Sequence, residues 1–410
     1  MGFNIAILPH PPGCAASQKI YGLSVLERCL HALQRGGFQA VLLSDKFSSE
    51  VVKIRRNSPQ LQLDLQFLAE GSQPDLPADS KVLLLSGPIV LDTAIPAGML
   101  KQAAEGQEVT VLKSGRMALF QGDILQSLRE ASFSDAASPA QWVKVAEERQ
   151  FAISGVEFPG LLQHPVNSRE SKREVEAALI RSLIKPTDGW VSRHMNRPIS
   201  TRISRVLAHT PLTPNQFTFF TGLIGLAAGF FAASGGYWNY LMAGFLFHLT
   251  SVLDGVDGEL ARLKFKSSPL GQWLDTLVDN LSYLAALAGI IIGIYRTGAS
   301  DLVLASGALA AIFVVLALGS LYLYLLRFKS GGTLLNVKYS FQDGNSRFDR
   351  FMQTAAAFGK RDLFALIFFM LSIFGQLPMA LGYVAVMAFF IFAFSIQAHS
   401  KAAKARSTSN

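Results

Sequence analysis

Two cysteines in 410 residues, Cys14 and Cys29, are too few and too poorly spaced for a zinc cage or a disulfide framework, so both read as buried free thiols. Charge is scarce as well. Acidic and basic residues make up 16% of the chain, against roughly a quarter in an ordinary soluble protein, while half of the residues are hydrophobic. That balance excludes a wholly soluble protein of ordinary composition and implies a membrane portion. The start, MGFNIAILPHPPG, lacks the basic region, apolar core and small-residue cleavage site of a secretory signal, so the N-terminus is expected in the cytoplasm. Ala6 stands where a myristoylation motif needs Ser or Thr, which removes Gly2 as a lipid anchor. There is no constellation suggesting a Ser, Cys or His nucleophile, no internal repeat and no low-complexity tract.

What charge there is falls unevenly. Residues 1–160 carry 14 Lys and Arg against 16 Asp and Glu, whereas the remainder carries 23 against 13, so the net charge of +8 belongs to the second part. That part holds six apolar segments, at about 216–235, 238–262, 269–295, 301–327, 361–376 and 378–397, each read as a span of the hydrocarbon core. The connections SGGYWN and GQLPM contain no Lys or Arg, and a third holds only Arg296. The opposite side collects Arg262, Lys264, Lys266, Arg327, Lys329, Lys338, Arg347, Arg350, Lys360, Arg361, Lys401, Lys404 and Arg406. The excess of positive charge on that side places both termini in the cytoplasm. Ahead of the first span, DGWVSRHMNRPISTRISRVLAHTPLTPNQ (188–216) mixes Trp190, Val191, Met195, Ile199, Ile203, Val206 and Leu207 with Arg193, Arg197, Arg202 and Arg205. This composition predicts a helix lying in the headgroup layer, apolar below and arginine above.

The stretch LDGVDGELARLKFKSSPLGQWLDTLVDN (253–280) places Asp254, Asp257, Asp275 and Asp279 inside the second and third spans. Asp254, Asp257 and Ala261 share one helical face, Asp275 and Asp279 another. A short connection is expected to make the two helices antiparallel neighbours, so that the four carboxylates converge near their cytoplasmic ends. Ionisable groups at such depth are costly and usually face a polar cavity. Like charges this close need a counter-charge, and hard divalent cations with oxygen ligands supply one. Gly258 and Gly271 leave backbone open to a ligand beside the carboxylates, and Arg262 offers a planar fork to phosphate oxygens. Metal, phosphate clamp and a spare carboxylate suit transfer of a phosphorus group. His248, two turns before Asp254, reads as a packed or cavity-lining residue and not as a ligand.

These residues reproduce D-x2-D-G-x2-A-R-x8-G-x3-D-x3-D, the motif of the CDP-alcohol phosphotransferases, with no departure. The chain resembles that family over about residues 186–398, and most of all its members that make di-myo-inositol phosphate phosphate or related polar head groups. Their juxtamembrane segment is similar to DGWVSRHMNRPIS, and many carry a nucleotidyltransferase-like domain in front. The resemblance implies that Asp254, Asp257 and Asp275 bind divalent metal, Mg²⁺ or Mn²⁺ and two ions in all, with Asp279 close to it and serving as base. It implies that Gly258, Ala261, Arg262 and Gly271 hold the CDP moiety and that the protein is a homodimer. Asp279 would take the proton from an acceptor hydroxyl, whose oxygen attacks the β-phosphorus as CMP leaves. If the acceptor carries a phosphate, Arg327, Lys360 and Arg361 are its candidate cationic pocket, or equally anchors for lipid headgroups.

Residues 1–160 read as α/β. Strands are expected at 3–8, 38–44 and 81–87, a helix over 23–37 with Val25, Leu26, Cys29, Leu30 and Leu33 on one face, and two strands joined at Ser114-Gly115 within 109–121. Strands alternating with helices imply a mostly parallel, covered sheet. Over residues 3–122 the order resembles the sugar-nucleotidyltransferase-like fold, with GLSVLERCLHALQRGGFQAVLLSD in place of that family's G-x-P-L-[IL]-E-R helix and second strand. The departures bear on activity. The loop PHPPGCAASQK offers one glycine, no Arg and only Lys19, and the pair Gly87-Pro88 stands where that family has Gly-Asp. A degenerate domain that no longer makes a CDP-alcohol is expected.

The fold class is therefore an α/β soluble, nucleotidyltransferase-like domain (1–165), a charged tether and interfacial helix (166–212), an all-α bundle of six transmembrane helices (213–398) and a disordered tail (399–410). The expected function is a metal-dependent CDP-alcohol phosphotransferase acting at the cytoplasmic face on a CDP-linked donor and an alcohol or alcohol-phosphate acceptor, among membrane lipids and without nucleic acid. CDP-inositol is the favoured donor and CDP-diacylglycerol the alternative. A bifunctional enzyme with an active cytidylyltransferase domain is a third reading. A cation transporter is the rival from another class, but it would need its carboxylates near the bilayer midplane.

Overall fold

The computed structural model describes residues 3–69, 76–103, 108–129, 138–185, 188–298, 300–328, 347, 350 and 360–407, with side chains up to residue 400. The chain forms two compact units, Met1–Ser182 and Leu183–Asn410. In the first, a seven-stranded sheet contains β1 (Asn4–Leu8), β2 (Ala40–Ser44), β3 (Asp64–Leu68), β4 (Lys81–Leu85), β5 (Val109–Leu112), β6 (Met117–Gln121) and β7 (Ile153–Val156). Their spatial order is 3-2-1-4-6-5-7, and every pairing is parallel except those that β6 makes with β4 and β5. The mostly parallel α/β sheet is as expected, and Ser114-Gly115 lies in the connection between β5 and β6.

Because side chains alternate along a strand, each central strand feeds two cores. Leu8, Val41, Leu43, Leu83 and Leu85 pack with α1 (Val25–Arg35), α2 (Ser48–Asn57) and α3 (Ala94–Ala103). Ile5, Leu42, Val82, Leu84 and Phe120 pack with α4 (Gly122–Arg129) and α5 (Pro139–Glu148). Helix α1 starts at a capping box in which Ser24 accepts from the Glu27 amide and Glu27 reaches back to the Ser24 amide. Both cysteines are free; Cys29 is fully buried, and burial pushes its thiol up to about 12. Helix α6 (Arg169–Arg181) closes this unit, with Val175 buried and the Glu176 carbonyl accepting from the Tyr21 hydroxyl.

The second unit is helical: α7 (Arg197–Leu207), preceded by a π-helical turn at Ser192–Asn196, then α8 (Pro214–Ser234), α9 (Tyr237–Leu263), α10 (Pro269–Arg296), α11 (Asp301–Phe328), α12 (Arg361–Ile373) and α13 (Ala380–Ser407). Among the described residues, four stretches are long and apolar enough to cross a membrane: 214–234, 269–296, 301–327 and 377–400. Helix α9 has 27 residues but carries Asp254, Asp257, Glu259 and Arg262, and α12 has 13 described residues, so length and composition alone mark four of the six expected spans among the described residues. Lys329 and Lys338, which weighed in the orientation, lie outside the described residues. Helix α13 continues to Ser407, past residue 399 where a disordered tail was expected.

The short connection does not make α9 and α10 packed neighbours, as the sequence suggested. Helix α8 packs along both of them. Its small residues allow this: a Cβ at Gly222 would stand 2.7 Å from Val278 of α10, and one at Gly229 would stand 2.6 Å from the Ala285 carbonyl. Without a hydrophobic drive between helices in lipid, such close backbone approach is what holds them together. The tight turn from α8 into α9 uses Gly235 and Gly236 at φ of 69° and 81°, a region that side chains strongly disfavour.

Candidate active site

The carboxylates of Asp254 on α9 and of Asp275 and Asp279 on α10 converge, with ligand atoms all within 4.8 Å of one another. The i, i+4 spacing on α10 turns two of them to one face, and α9 brings the third. Asp257 is near this group and held differently: it is buried, its carboxylate accepts from the Thr218 hydroxyl of α8 at 2.5 Å, and it also takes the Gly258 amide. Helix α8 thus orients one acid while it spaces the two helices that carry the others.

Among the described residues, one cation enters the cluster. Arg361, the first residue of α12, places Nη1 2.5 Å from Asp254 Oδ1 and 2.5 Å from Asp279 Oδ2, and its guanidinium lies over the Tyr283 ring at 5.4 Å. The sequence grouped Arg361 with Arg327 and Lys360 as an acceptor-phosphate pocket. The structure brings Arg361 to the aspartates and leaves Arg327 and Lys360 exposed at helix ends. Three carboxylates against one guanidinium leave room for further positive charge, and an all-oxygen donor set on two helices fits a hard divalent cation.

The flanking motif residues differ in the space around them. A Cβ at Gly258 would meet nothing within 4 Å, so the backbone beside Asp257 is open to a ligand. Gly271 is tighter, with Asn215 Oδ1 and Ser268 Oγ each 3.2 Å from such an atom. Ala261 is half-buried; Arg262 donates from Nη2 to the Leu183 carbonyl, and its buried Nε has no hydrogen-bond partner among the described residues. His248 stacks face to face on Phe369 with centroids 5.6 Å apart, a packing role as expected.

Several residues escaped the sequence reading. Glu259, at an unspecified position of the motif, is 0% exposed and accepts from Arg197 Nη1 at 2.7 Å, Ser200 Oγ at 2.7 Å and Ser204 Oγ at 2.6 Å. Arg197 also grips both oxygens of Asp188 at 2.9 Å. Arg197 therefore does not sit on the outer arginine face of the juxtamembrane helix with Arg193, Arg202 and Arg205, which are exposed; it turns inward because Glu259 is there. Burial opposes ionisation of Asp188, but Arg197 outweighs it and holds the carboxyl below its usual range. Lys264, assigned to the positive cytoplasmic connection, is buried and donates to the carbonyls of Thr210 at 2.7 Å and Leu212 at 2.8 Å, fixing the turn between α7 and α8.

The sequence profile of CDP-alcohol phosphatidyltransferases matches residues 211–396, which contain the whole cluster. This region belongs to the CDP-alcohol phosphatidyltransferase family. The chain is similar to a bifunctional IPC transferase and DIPP synthase of Thermococcus kodakarensis, 38% identical over 149 residues, or 35% of this chain and 33% of that protein. A protein of the same name from Archaeoglobus fulgidus is 33% identical over 215 residues, 52% of this chain and 39% of that one. The matches thus span about a third to two fifths of these relatives' length. A 4-diphosphocytidyl-2C-methyl-D-erythritol synthase structure covers 44% of this chain and 99% of its own at 16% identity and a TM-score of 0.33.

Within the family domain, Glu259 and Asp257 have hydrogen-bond donors supplied by α7 and α8, whereas Asp254 and Asp279 share Arg361. The two groups of acids differ in what is left for a ligand to do.

Proposed function

We propose that the protein is an integral-membrane, metal-dependent transferase that moves a substituted phosphate from a CDP-linked alcohol to an acceptor hydroxyl, forming a phosphodiester and releasing CMP. The observation that carries this reading is the convergence of Asp254, Asp275 and Asp279 inside a helix pair bearing the complete family motif. Asp254, Asp257 and Asp275 would hold Mg²⁺ or Mn²⁺ with Asp279 beside them, and the ions would supply Lewis-acid stabilisation of the phosphoryl oxygens.

The chain's own residues do the rest. Gly258 offers open backbone for the pyrophosphate, Ala261 and Gly271 shape the CDP site, and the Arg262 fork holds phosphate oxygens. Asp279 accepts the proton of the acceptor hydroxyl as its oxygen attacks the β-phosphorus. Arg361 neutralises part of the cluster and meets the acceptor, with Arg327 and Lys360 on its approach if that acceptor carries a phosphate. Six spans, cytoplasmic termini, a cytoplasmic active site and a homodimer belong to the same reading. So does a nucleotidyltransferase-like first domain without cytidylyltransferase activity, which one contact supports. Gly87, at the C-terminal end of β4, has a φ of 148°, and a Cβ there would stand 2.7 Å from the Pro11 ring. Proline thus fills part of the crevice between β1 and β4, where open α/β sheets bind their ligands.

The test is CMP release by the purified full chain with Mg²⁺, offering CDP-inositol and CDP-diacylglycerol with inositol phosphate, glycerol phosphate or inositol. Release that needs acceptor, vanishes with a chelator, returns with Mg²⁺ and falls by about 10² to 10⁴ in Asp279→Asn is expected. Turnover untouched by Asp279→Asn would remove Asp279 as the base.

A further inference from the structure

The chain ahead of the juxtamembrane helix is pinned to α9 at two places. Arg262 donates from Nη2 to the carbonyl of the buried Leu183 at 3.3 Å. Asp188 accepts the Lys185 amide at 2.8 Å and grips Arg197 with both oxygens, and Arg197 in turn reaches Glu259 of α9 at 2.7 Å. Lys185 stands between these anchors. Its main chain is held while its side chain is exposed, and its ammonium faces Arg262, Arg197, Asp188 and Asp254. It lies outside the matched residues 211–396 and outside the aspartate motif.

Charge around Lys185 is unbalanced. Asp188 and Glu259 are both engaged by Arg197, and Asp254 is engaged by Arg361. Among the described residues neither Lys185 nor Arg262 makes an ion pair, and Arg262 keeps a buried Nε without a hydrogen-bond partner. Partial burial and the facing guanidiniums of Arg262 and Arg197 pull the Lys185 ammonium below its ordinary value, which an oxyanion beside it would relieve. Asp254, Gly258 and Arg262 follow at i, i+4 and i+8 on α9, so the open backbone of Gly258 lies between the acid and the guanidinium.

We propose that Lys185 is a second phosphate-binding cation of the donor site, closing with Arg262 on the diphosphate of the CDP-linked substrate over Gly258. This rests on the phosphotransferase reading above. The two cations are complementary: Arg262 brings a planar fork, and Lys185 a point charge on a flexible stem. A phosphate on the acceptor presents the same oxyanion chemistry, and the experiment separates the two sources.

The purified full chain is compared as wild type, Lys185→Met and Lys185→Arg, all with Mg²⁺. Calorimetry gives the affinity for CDP and for cytidine; CMP release gives KM and kcat for the CDP-linked donor and for acceptors with and without a phosphate. A hydrogen bond to a charged group is worth about tenfold or more. Lys185→Met is therefore expected to weaken CDP about tenfold and leave cytidine unchanged. It should raise the donor KM by a similar factor with little change in kcat, and should melt with the wild type because the side chain makes no bond to the protein among the described residues. Lys185→Arg keeps the charge and should retain most of the affinity. CDP affinity unchanged in Lys185→Met overturns the donor clamp: a raised KM confined to phosphorylated acceptors moves the lysine to the acceptor, and no change leaves it solvated. Equal losses for CDP and cytidine also refute it, since the phosphates are then not what the lysine meets. Wild-type turnover with any of these results leaves the phosphotransferase reading standing, whereas a wild type that neither binds CDP nor releases CMP sinks that reading and the clamp with it.

Discussion

Removing the guanidinium of Arg197 isolates Glu259, a fully buried charge of the helical unit. Glu259 has no exposed surface, and its cation is Arg197, 2.7 Å away; Ser200 and Ser204 supply hydroxyls but no charge. In Arg197→Met the carboxylate stays buried with two neutral donors, and breaking a buried pair from one side costs about 3–5 kcal/mol. For a unit of this size each kcal/mol lowers Tm by about 2–4 °C, so a drop of roughly 6–20 °C is expected. Glu259→Gln keeps an acceptor for the serines and removes the charge. Combined with Arg197→Met it should recover part of the loss, with a coupling of about 1–3 kcal/mol between the two positions. Unfolding of the full chain in detergent, scored for all four members of the cycle, gives that number. Strictly additive losses would refute the idea that Arg197 stabilises α9 by neutralising Glu259.

Three further perturbations concern other parts of the chain. Burial, aided by Arg35 and Arg28, pulls the His31 imidazole down to about 4 from an ordinary value of 6.5. The unfolded chain therefore binds the proton first, and stability is full above pH 6.5 and is lost as pH falls towards 4, by about 3 kcal/mol. His31→Gln should flatten that part of the profile for the first unit, and an unchanged acid limb would refute the assignment. Gly289→Val would drive a side chain into the Gly229 backbone and should lower Tm sharply by parting α8 from α10, whereas Gly319→Ala, with nothing within 4 Å, should be neutral or stabilising by up to about 1 kcal/mol; similar melting points for the two would deny the seam its role.

The aspartate cluster could be read from sequence because helical spacing is local. Two carboxylates four residues apart on α10 must share a face, and the motif supplies the third on α9. The sheet was legible for the same reason, since Ala40–Ser44 and Lys81–Leu85 are apolar runs with turn residues at their ends. What escaped depends on partners remote in sequence. Arg361 reads as one more cytoplasmic cation until the fold brings it 107 positions back to Asp254. Glu259 stands at an unspecified position of the motif, so spacing alone gives it no role. A signal was present, however: Arg197, Ser200, Thr201 and Ser204 stand at i, i+3, i+4 and i+7, a polar stripe on a helix whose other faces carry the apolar and basic residues. Such a stripe needs a buried partner. Gly222, Gly225 and Gly229 on α8 likewise announce a close helix contact, but small residues say that a neighbour approaches without saying which one.

Arg361 ties α12 to the site, since it pairs with Asp254 of α9 and with Asp279 of α10. A fixed cation beside the cluster competes electrostatically with any divalent ion held there. At an effective dielectric of about 20, charges about 4 Å apart interact by roughly 4 kcal/mol, and a third of that is already about tenfold in affinity. Arg361→Met should therefore lower the Mg²⁺ concentration needed for half-maximal CMP release by tenfold or more, even as turnover falls for want of the charge that meets the acceptor. Arg361→Lys retains a positive charge and should leave the Mg²⁺ midpoint near that of the wild type while losing the planar fork. If instead Arg361→Met raises the Mg²⁺ requirement, the guanidinium helps to build the metal site by fixing Asp254 and Asp279, and its competing charge is the smaller effect.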